Sequence, residues 1–305
     1  MSPRIGVFTK NRTNPAYEAA RFGADRVAAR FGAQTTHYVP HAPDDVGEQI
    51  ALVARAIADG VDAVVMSPVH DTLLDDAIRS IEAAGIPLTH FVTRGVAGHP
   101  VCFARSDDRA LAVDIARALF GRLGGRGEIV ILEGTPASPT SHARMRGFRD
   151  VLADSPGIRL RAVLPGMYQR HVARDVVAAA AHEIAGVDAV LCANDAMALG
   201  VLDVLGRDGA RGKPLIVGIN AVPEAVAEIA AGRMLATASF DAMAMCALAT
   251  EASLRHLRGE TVPAEIVLPV DVVDAANCAA WNVPFAQRAV PGWEQATGRV
   301  PAAGA

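Results

Sequence analysis

Val190-Leu-Cys-Ala-Asn194-Asp195-Ala-Met-Ala-Leu199-Gly200-Val-Leu202 decides how this chain is read. The apolar run 187–192 has the length and character of a buried strand. Asn194 or Asp195 then suits the cap of a helix that turns Met197, Leu199, Val201, Leu202 and Leu205 inward. A polar residue at the carboxyl end of a parallel strand, leading into a helix N-terminus, lies where open α/β sheets bind ligands. A cap alone explains the Asn-Asp pair equally well, so both readings stand from the spacing.

The same unit recurs on either side. Upstream of it come a helix over 109–123, a strand over 128–132, a helix over 142–153, a strand over 158–164 and a helix over 172–184. Downstream lie a strand over 215–219 and a helix near 223–231. Nearer the start, strand 5–9 and a polar loop precede a helix from Pro15 to about Gly32, capped by Asn14, with Ala19, Ala20, Val27 and Phe31 inward. Strand 35–39 follows, then a helix from Asp44 with Ile50, Val53 and Ile57 inward, ended by Gly60. Strand 61–66, a helix opened by 67–71 and stopped at Gly85, and strand 86–92 complete this block.

Strand, loop and helix repeating at roughly 25–30 residues mark a doubly wound parallel sheet. Two such blocks follow each other, and the segments 234–238, 243–258 and 266–273 remain to complete both sheets. The expected fold is α/β, two doubly wound parallel-sheet domains joined by a three-segment hinge near 105–107, 238–240 and 268–270. The N-terminal domain takes residues 1–105 and 240–268, and the C-terminal domain takes 106–239 and 269–285. Residues 286–305, rich in Pro, Gly and Ala, read as a tail that wraps the surface or frays.

At 305 residues the chain can bury two cores, and 51% hydrophobic residues with a net charge of −4 describe a globular protein. Arg144, Arg146 and Arg149 are spread along one helix and no basic arm exists, so no nucleic-acid partner is expected. The four cysteines, Cys102, Cys192, Cys246 and Cys278, form no CxxC pair, which argues against a zinc site or redox dithiol and leaves a disulfide open. No apolar run of about 18 residues suggests a membrane span. Residues 4–9 already read as a strand, leaving no room for a signal peptide; either the protein is cytoplasmic or the chain is a mature one without its leader.

Enzymatic signatures are missing. No G-x-S-x-G elbow is present, and Gly121-Arg-Leu-Gly-Gly-Arg-Gly127 precedes a strand instead of following one. Gly212-Lys213 lacks the upstream glycine of a phosphate loop, and His37 and His41 straddle a Pro-containing strand end instead of sharing a helix face. No catalytic residue, metal or cofactor is expected.

Ala193-Asn-Asp-Ala-Met-Ala-Leu-Gly200 resembles the second-domain motif of ribose-type periplasmic sugar-binding proteins, and lactose-repressor-type regulators carry a similar module. The order of elements over about residues 4–280 is similar throughout. The resemblance implies a type I periplasmic-binding-protein fold: a monomer in the periplasm that captures a monosaccharide or related polyol in an inter-domain cleft. It would deliver that solute to the permease of an ABC sugar importer, or to a sensor. Two alternatives remain: a sugar-sensing regulator, disfavoured because no helix-turn-helix precedes the first strand, and a small-molecule enzyme on a doubly wound fold.

The resemblance also implies a site. Asn14 and Tyr17 of Asn14-Pro-Ala-Tyr17 look like the sugar-touching loop after the first strand, and Lys10 falls where some relatives place a lysine on ligand oxygens. Ser67 resembles the loop after the third strand, and Ser106 the first crossing. Thr93 and Arg94 stand where the family has an Asp-Arg pair, here without the acid. Arg144, three residues before Gly147-Phe148, falls on the arginine that donates paired hydrogen bonds to the sugar. Tyr168 matches an aromatic wall, Asn194 and Asn220 end the next two strands, and Phe240 replaces a glutamine at the third crossing.

Binding a polyol needs flat apolar surfaces for C–H faces and charged or polar groups for hydroxyls, which Tyr17, Tyr168, Phe240 and a bidentate Arg144 supply. Ordinary packing explains each aromatic as well, and Arg144 as a helix-surface cation would pair with Asp150. Lys10 is one of two lysines, with Lys213, and a lysine kept at a strand's carboxyl end suggests that a compact point charge is wanted there; a solvated loop charge is the alternative. With acids missing beside Lys10, Arg94 and Arg144, an anionic or oxidised sugar is also compatible. A ligand-only role for Arg144 implies that its removal leaves the free protein's melting temperature intact.

Overall fold

The computed structural model describes residues 2–136, 138–206 and 214–298. Gly212 and Lys213, and the end of the expected tail from 299 onward, lie outside the described residues. The chain forms two compact units: the described residues of Met1–Ser106, Asp241–Pro269 and Ala289–Ala305 in one, those of Asp107–Phe240 and Val270–Arg288 in the other.

The first unit runs β1 (Arg4–Phe8), α1 (Pro15–Phe31), β2 (Gln34–Tyr38), α2 (Val46–Asp59), β3 (Ala63–Met66), α3 (Asp75–Ala83), β4 (Leu88–Phe91) and β5 (Cys102–Arg105). In the second, α4 (Asp108–Arg122), β6 (Gly127–Glu133), α5 (Pro139–Ala153), β7 (Ile158–Pro165), α6 (Arg170–Ala179) and α7 (Ala181–Ile184) precede β8 (Ala189–Cys192). It continues with α8 (Asp195–Leu205), β9 (Leu215–Ile219), α9 (Pro223–Ala230) and β10 (Ala236–Ala238). Then α10 (Ala242–Leu257) and β11 (Glu265–Val267) return to the first unit, β12 (Val272–Asp274) to the second, and α11 (Trp293–Thr297) to the first.

The first sheet has the order β11-β5-β4-β3-β1-β2 with every pair parallel; the second has β12-β10-β9-β8-β6-β7, parallel except for β12, which runs antiparallel to β10. The cores thus share one winding, 2-1-3-4-5, whose order reverses between β1 and β3 and between β6 and β8. Strands covered on both faces lose their alternation: Ala63, Val64, Val65 and Met66 are all buried, as are Ala189 to Cys192. In the first unit α2 and α3 close a core of Phe8, Val53, Val64, Met66, Ile78 and Ile81, while α1 packs along α10. A Ser253–Thr89 hydrogen bond of 2.8 Å ties α10 to β4.

Several expectations change. Ser67 to Asp71 is loop, and α3 starts at Asp75, because Gln49 holds the strand exit: its amide donates to Ser67 O (3.2 Å) and accepts from Val69 N–H (2.8 Å). Ile50 is 41% exposed, since Val53 and Ala56 already fill the α2 contact. Strand β5 was not foreseen, while β11 and β12 lie on either side of the change of unit between Pro269 and Val270. The helix expected over 172–184 breaks at Ala180. The chain passes between units a fourth time, after Arg288. There α11 meets β11, Trp293 is buried, and the Arg255 guanidinium lies 4.8 Å from its ring, so residues 293–297 pack onto the first unit. Among the described residues no helix is long and apolar enough to cross a membrane, and the four cysteines are buried free thiols.

Candidate functional site

Ligands of doubly wound sheets gather at the carboxyl ends of the strands near the point where strand order reverses. In each unit the candidate residues lie at those ends or on the helices that follow them.

In the first unit Lys10 follows β1 and is only 4% exposed; its Nζ donates to Thr93 Oγ1 at 2.8 Å. Thr93 leaves β4 through a tight turn in which its N–H donates to Phe91 O (2.7 Å) across Val92, held at φ 64°. A β-branched residue there costs about 1–3 kcal/mol, a strain that clusters at functional sites. Asn14 caps α1, accepting from Ala16 N–H (3.0 Å), and buried Tyr17 stands in the first turn. Asn11, which the sequence reading passed over, fixes this loop by accepting from Asn14 N–H (2.9 Å). Ser67 and Ser106 are buried, and the Oγ of each has no hydrogen-bond partner among the described residues. Arg94 is exposed and does not join the Lys10–Thr93 pair. His90, also passed over, is fully buried on β4. Desolvation brings its imidazole down to about 4, so it is neutral at pH 7 and gives its Nδ1 proton to Met66 O at 3.2 Å.

In the second unit Arg144 projects from α5 and is 2% exposed. Its Nε donates to Asp108 at 2.8 Å and its Nη1 to Ala193 O, beyond β8, at 2.6 Å. The Phe240 and Tyr168 ring centroids lie 4.7 and 5.7 Å from its Cζ. The expected alternative partner, Asp150, binds Arg109 instead, and Asp108 balances the Arg144 charge that had been read as unmatched. Tyr168 sits in a turn with φ 54° at Met167 and 59° at Tyr168; a Cβ on Gly134 would fall 2.1 Å from its Cζ, so only glycine admits the ring there.

Asn194 is the cap of α8: its Oδ1 accepts from Met197 N–H (2.9 Å) and its Nδ2 donates to Tyr168 O (3.2 Å). Asp195 does not cap. Fully buried, it accepts from Thr237 Oγ1 (2.7 Å) and Val222 N–H (2.9 Å), and burial pushes its carboxyl up to about 6 against the pull of those bonds, Arg144 and Arg288. Asn220 ends β9 with φ 133°; it is 6% exposed, and its Oδ1 is buried without a partner among the described residues.

These groups offer hydrogen-bond donors, acceptors and aromatic faces suited to holding a polar small molecule. No cluster of metal-ligating side chains occurs among the described residues.

The sequence profile described as periplasmic binding protein domain matches residues 5–261. A D-ribose/D-allose-binding protein of Pseudomonas aeruginosa is 27% identical over 76% of this chain and 75% of its own length. A putative rhizopine-binding protein of Rhizobium meliloti is 28% identical over 80% and 81%. Among solved structures, an ABC transporter solute binding protein of Mycobacterium smegmatis with bound glycerol superposes with a TM-score of 0.84 at 26% identity, covering 92% of this chain and 96% of that one.

Proposed function

The chain belongs to the periplasmic binding protein family, and on that footing we propose that it is the solute-binding protein of an ABC importer, capturing a monosaccharide or related polyol. It performs no chemistry on the solute. The relatives are themselves named for the ribose, allose or rhizopine they bind, and the bound molecule in the mycobacterial structure is a polyol.

The observation that carries the reading is the held guanidinium of Arg144. Asp108 and Ala193 O fix its plane, and Phe240 and Tyr168 flank it. Such a group is organised before the ligand arrives, so little ordering cost remains for binding. Lys10, Thr93, Asn14, Tyr17, Ser67 and Ser106 are the candidate contacts of the first unit; Arg144, Tyr168, Asn220 and Phe240 are those of the second. Asn194 serves as a strut for Tyr168 and α8, since both ends of its amide are engaged there. Arg94 contributes at the rim. Because Asp108 meets the Arg144 charge, a neutral polyol fits as well as an anionic sugar. The protein works as a monomer in the periplasm, with a permease as its partner.

A thermal-shift screen over pentoses, hexoses, deoxysugars, polyols and sugar acids tests the reading. A specific solute at a hundred times its dissociation constant stabilises by about 2.7 kcal/mol, and a flat response across the panel overturns it.

A further inference from the structure

Asn220 stands on a backbone that few side chains adopt, with φ 133° at Asn220 and 49° at Ala221. Three consecutive N–H groups anchor it. Asn220 N–H donates to Ala238 O (2.9 Å), Ala221 N–H to Thr237 Oγ1 (3.2 Å) and Val222 N–H to Asp195 Oδ2 (2.9 Å). Thr237 Oγ1 in turn donates to Asp195 Oδ1 at 2.7 Å. One carboxylate therefore holds two of the three anchors, one directly and one through a hydroxyl.

Helix α8 does not need that carboxylate, because Asn194 already caps it. The group is fully buried, and a Cβ on Gly218 would lie 2.2 Å from Asp195 Oδ1, so β9 approaches it as only glycine allows. A buried charge and a strained turn both cost stability, and structures keep such costs where a group must be aimed. The ionised carboxylate also has the right chemistry: both its neighbours are donors, and it accepts on both oxygens, whereas an amide accepts on one atom alone.

We infer that Asp195, acting with Thr237, is the positioning residue of the second unit's candidate site, fixing the direction in which Asn220 presents its buried Oδ1 to a ligand hydroxyl. The inference rests on the solute-binding reading and deepens it.

Hydrogen–deuterium exchange of the ligand-free full chain tests the clamp, with Asp195→Asn, Thr237→Val and Thr237→Ser as variants. Calorimetric titration with the pentoses and hexoses of the panel follows affinity. Asp195→Asn and Thr237→Val should each speed exchange at residues 220–222 by at least roughly tenfold, since the first weakens a charge-assisted hydrogen bond and the second removes one together with the acceptor for Ala221 N–H. Residues 189–192 of β8 should keep their rates. Sugar affinity should fall by a similar factor, and Thr237→Ser, which keeps the hydroxyl, should restore both. Unchanged exchange at 220–222, acceleration spread evenly through the unit, or undiminished affinity despite local release overturns the inference. If no sugar binds the wild type, the solute-binding reading fails, while the exchange result alone still decides whether the clamp exists. Should Asp195→Asn not fold, the Thr237→Val and Thr237→Ser pair carries the test.

Discussion

Replacing Arg144 by methionine keeps an unbranched stem but removes the guanidinium that Asp108, Ala193 O and two rings share. The side chain is 2% exposed and that of Asp108 11%, so the carboxylate left behind is nearly dry. Breaking a buried pair by deleting one partner costs about 3–5 kcal/mol. The lost Ala193 hydrogen bond and ring contacts overlap with that figure, since one group makes them all. The residual exposure of Asp108 argues for the lower end, about 3 kcal/mol. At roughly 2–4 °C per kcal/mol for a unit of this size, the melting temperature should fall by about 10 °C. Thermal and urea unfolding of Arg144→Met, Asp108→Asn and the double variant would measure it. The double variant should recover at least about 1 kcal/mol relative to the sum of the single effects. A melting temperature unmoved by Arg144→Met, or no coupling with Asp108, would refute the account of a guanidinium built into the second unit. The sequence reading, with Arg144 serving the ligand alone, expected that unmoved value.

Thr93→Val deprives Lys10 of an acceptor and should cost about 1–3 kcal/mol in denaturant unfolding, with Thr93→Ser restoring it; equal stability of all three would remove the Lys10–Thr93 bond from the account. Burial holds the Asp195 carboxyl at about 6, above its ordinary 3.8, so the folded protein binds that proton more tightly than the unfolded chain. Its contribution is therefore largest below pH 3.8 and is lost as pH rises through 6. The stability of wild type relative to Asp195→Asn should drop by roughly 1–3 kcal/mol between pH 4 and pH 7, and a pH-independent difference would contradict the shift. Asn220→Asp places a charge where a neutral acceptor now lies buried. It should lower the melting temperature of the ligand-free protein and reorder the solutes by affinity, and an unchanged order would mean that Asn220 touches no ligand.

Much of the architecture was legible because parallel strands buried on both faces become apolar runs, as at Ala189–Cys192, and because Asn14-Pro15 and Asn194 are local cap signals. What escaped was non-local. Strand β5 is four residues long and is defined by pairing with β4 and β11, not by its own pattern. At the site, Arg144 was found through the family resemblance around Gly147-Phe148, but its partner Asp108 lies 36 residues away and no periodicity connects them. Asp195 was noticed as a possible cap, yet its real partners, Thr237 and Val222, come from elements 42 and 27 residues downstream.

Equilibrium titration of the purified chain with the strongest sugar or polyol from the screen, followed by recovery and identification of that solute, tests the central claim most directly. The account predicts saturable binding of one molecule per chain and recovery of the solute chemically unchanged. Absence of binding across the panel, or conversion of the solute to a product, would contradict it.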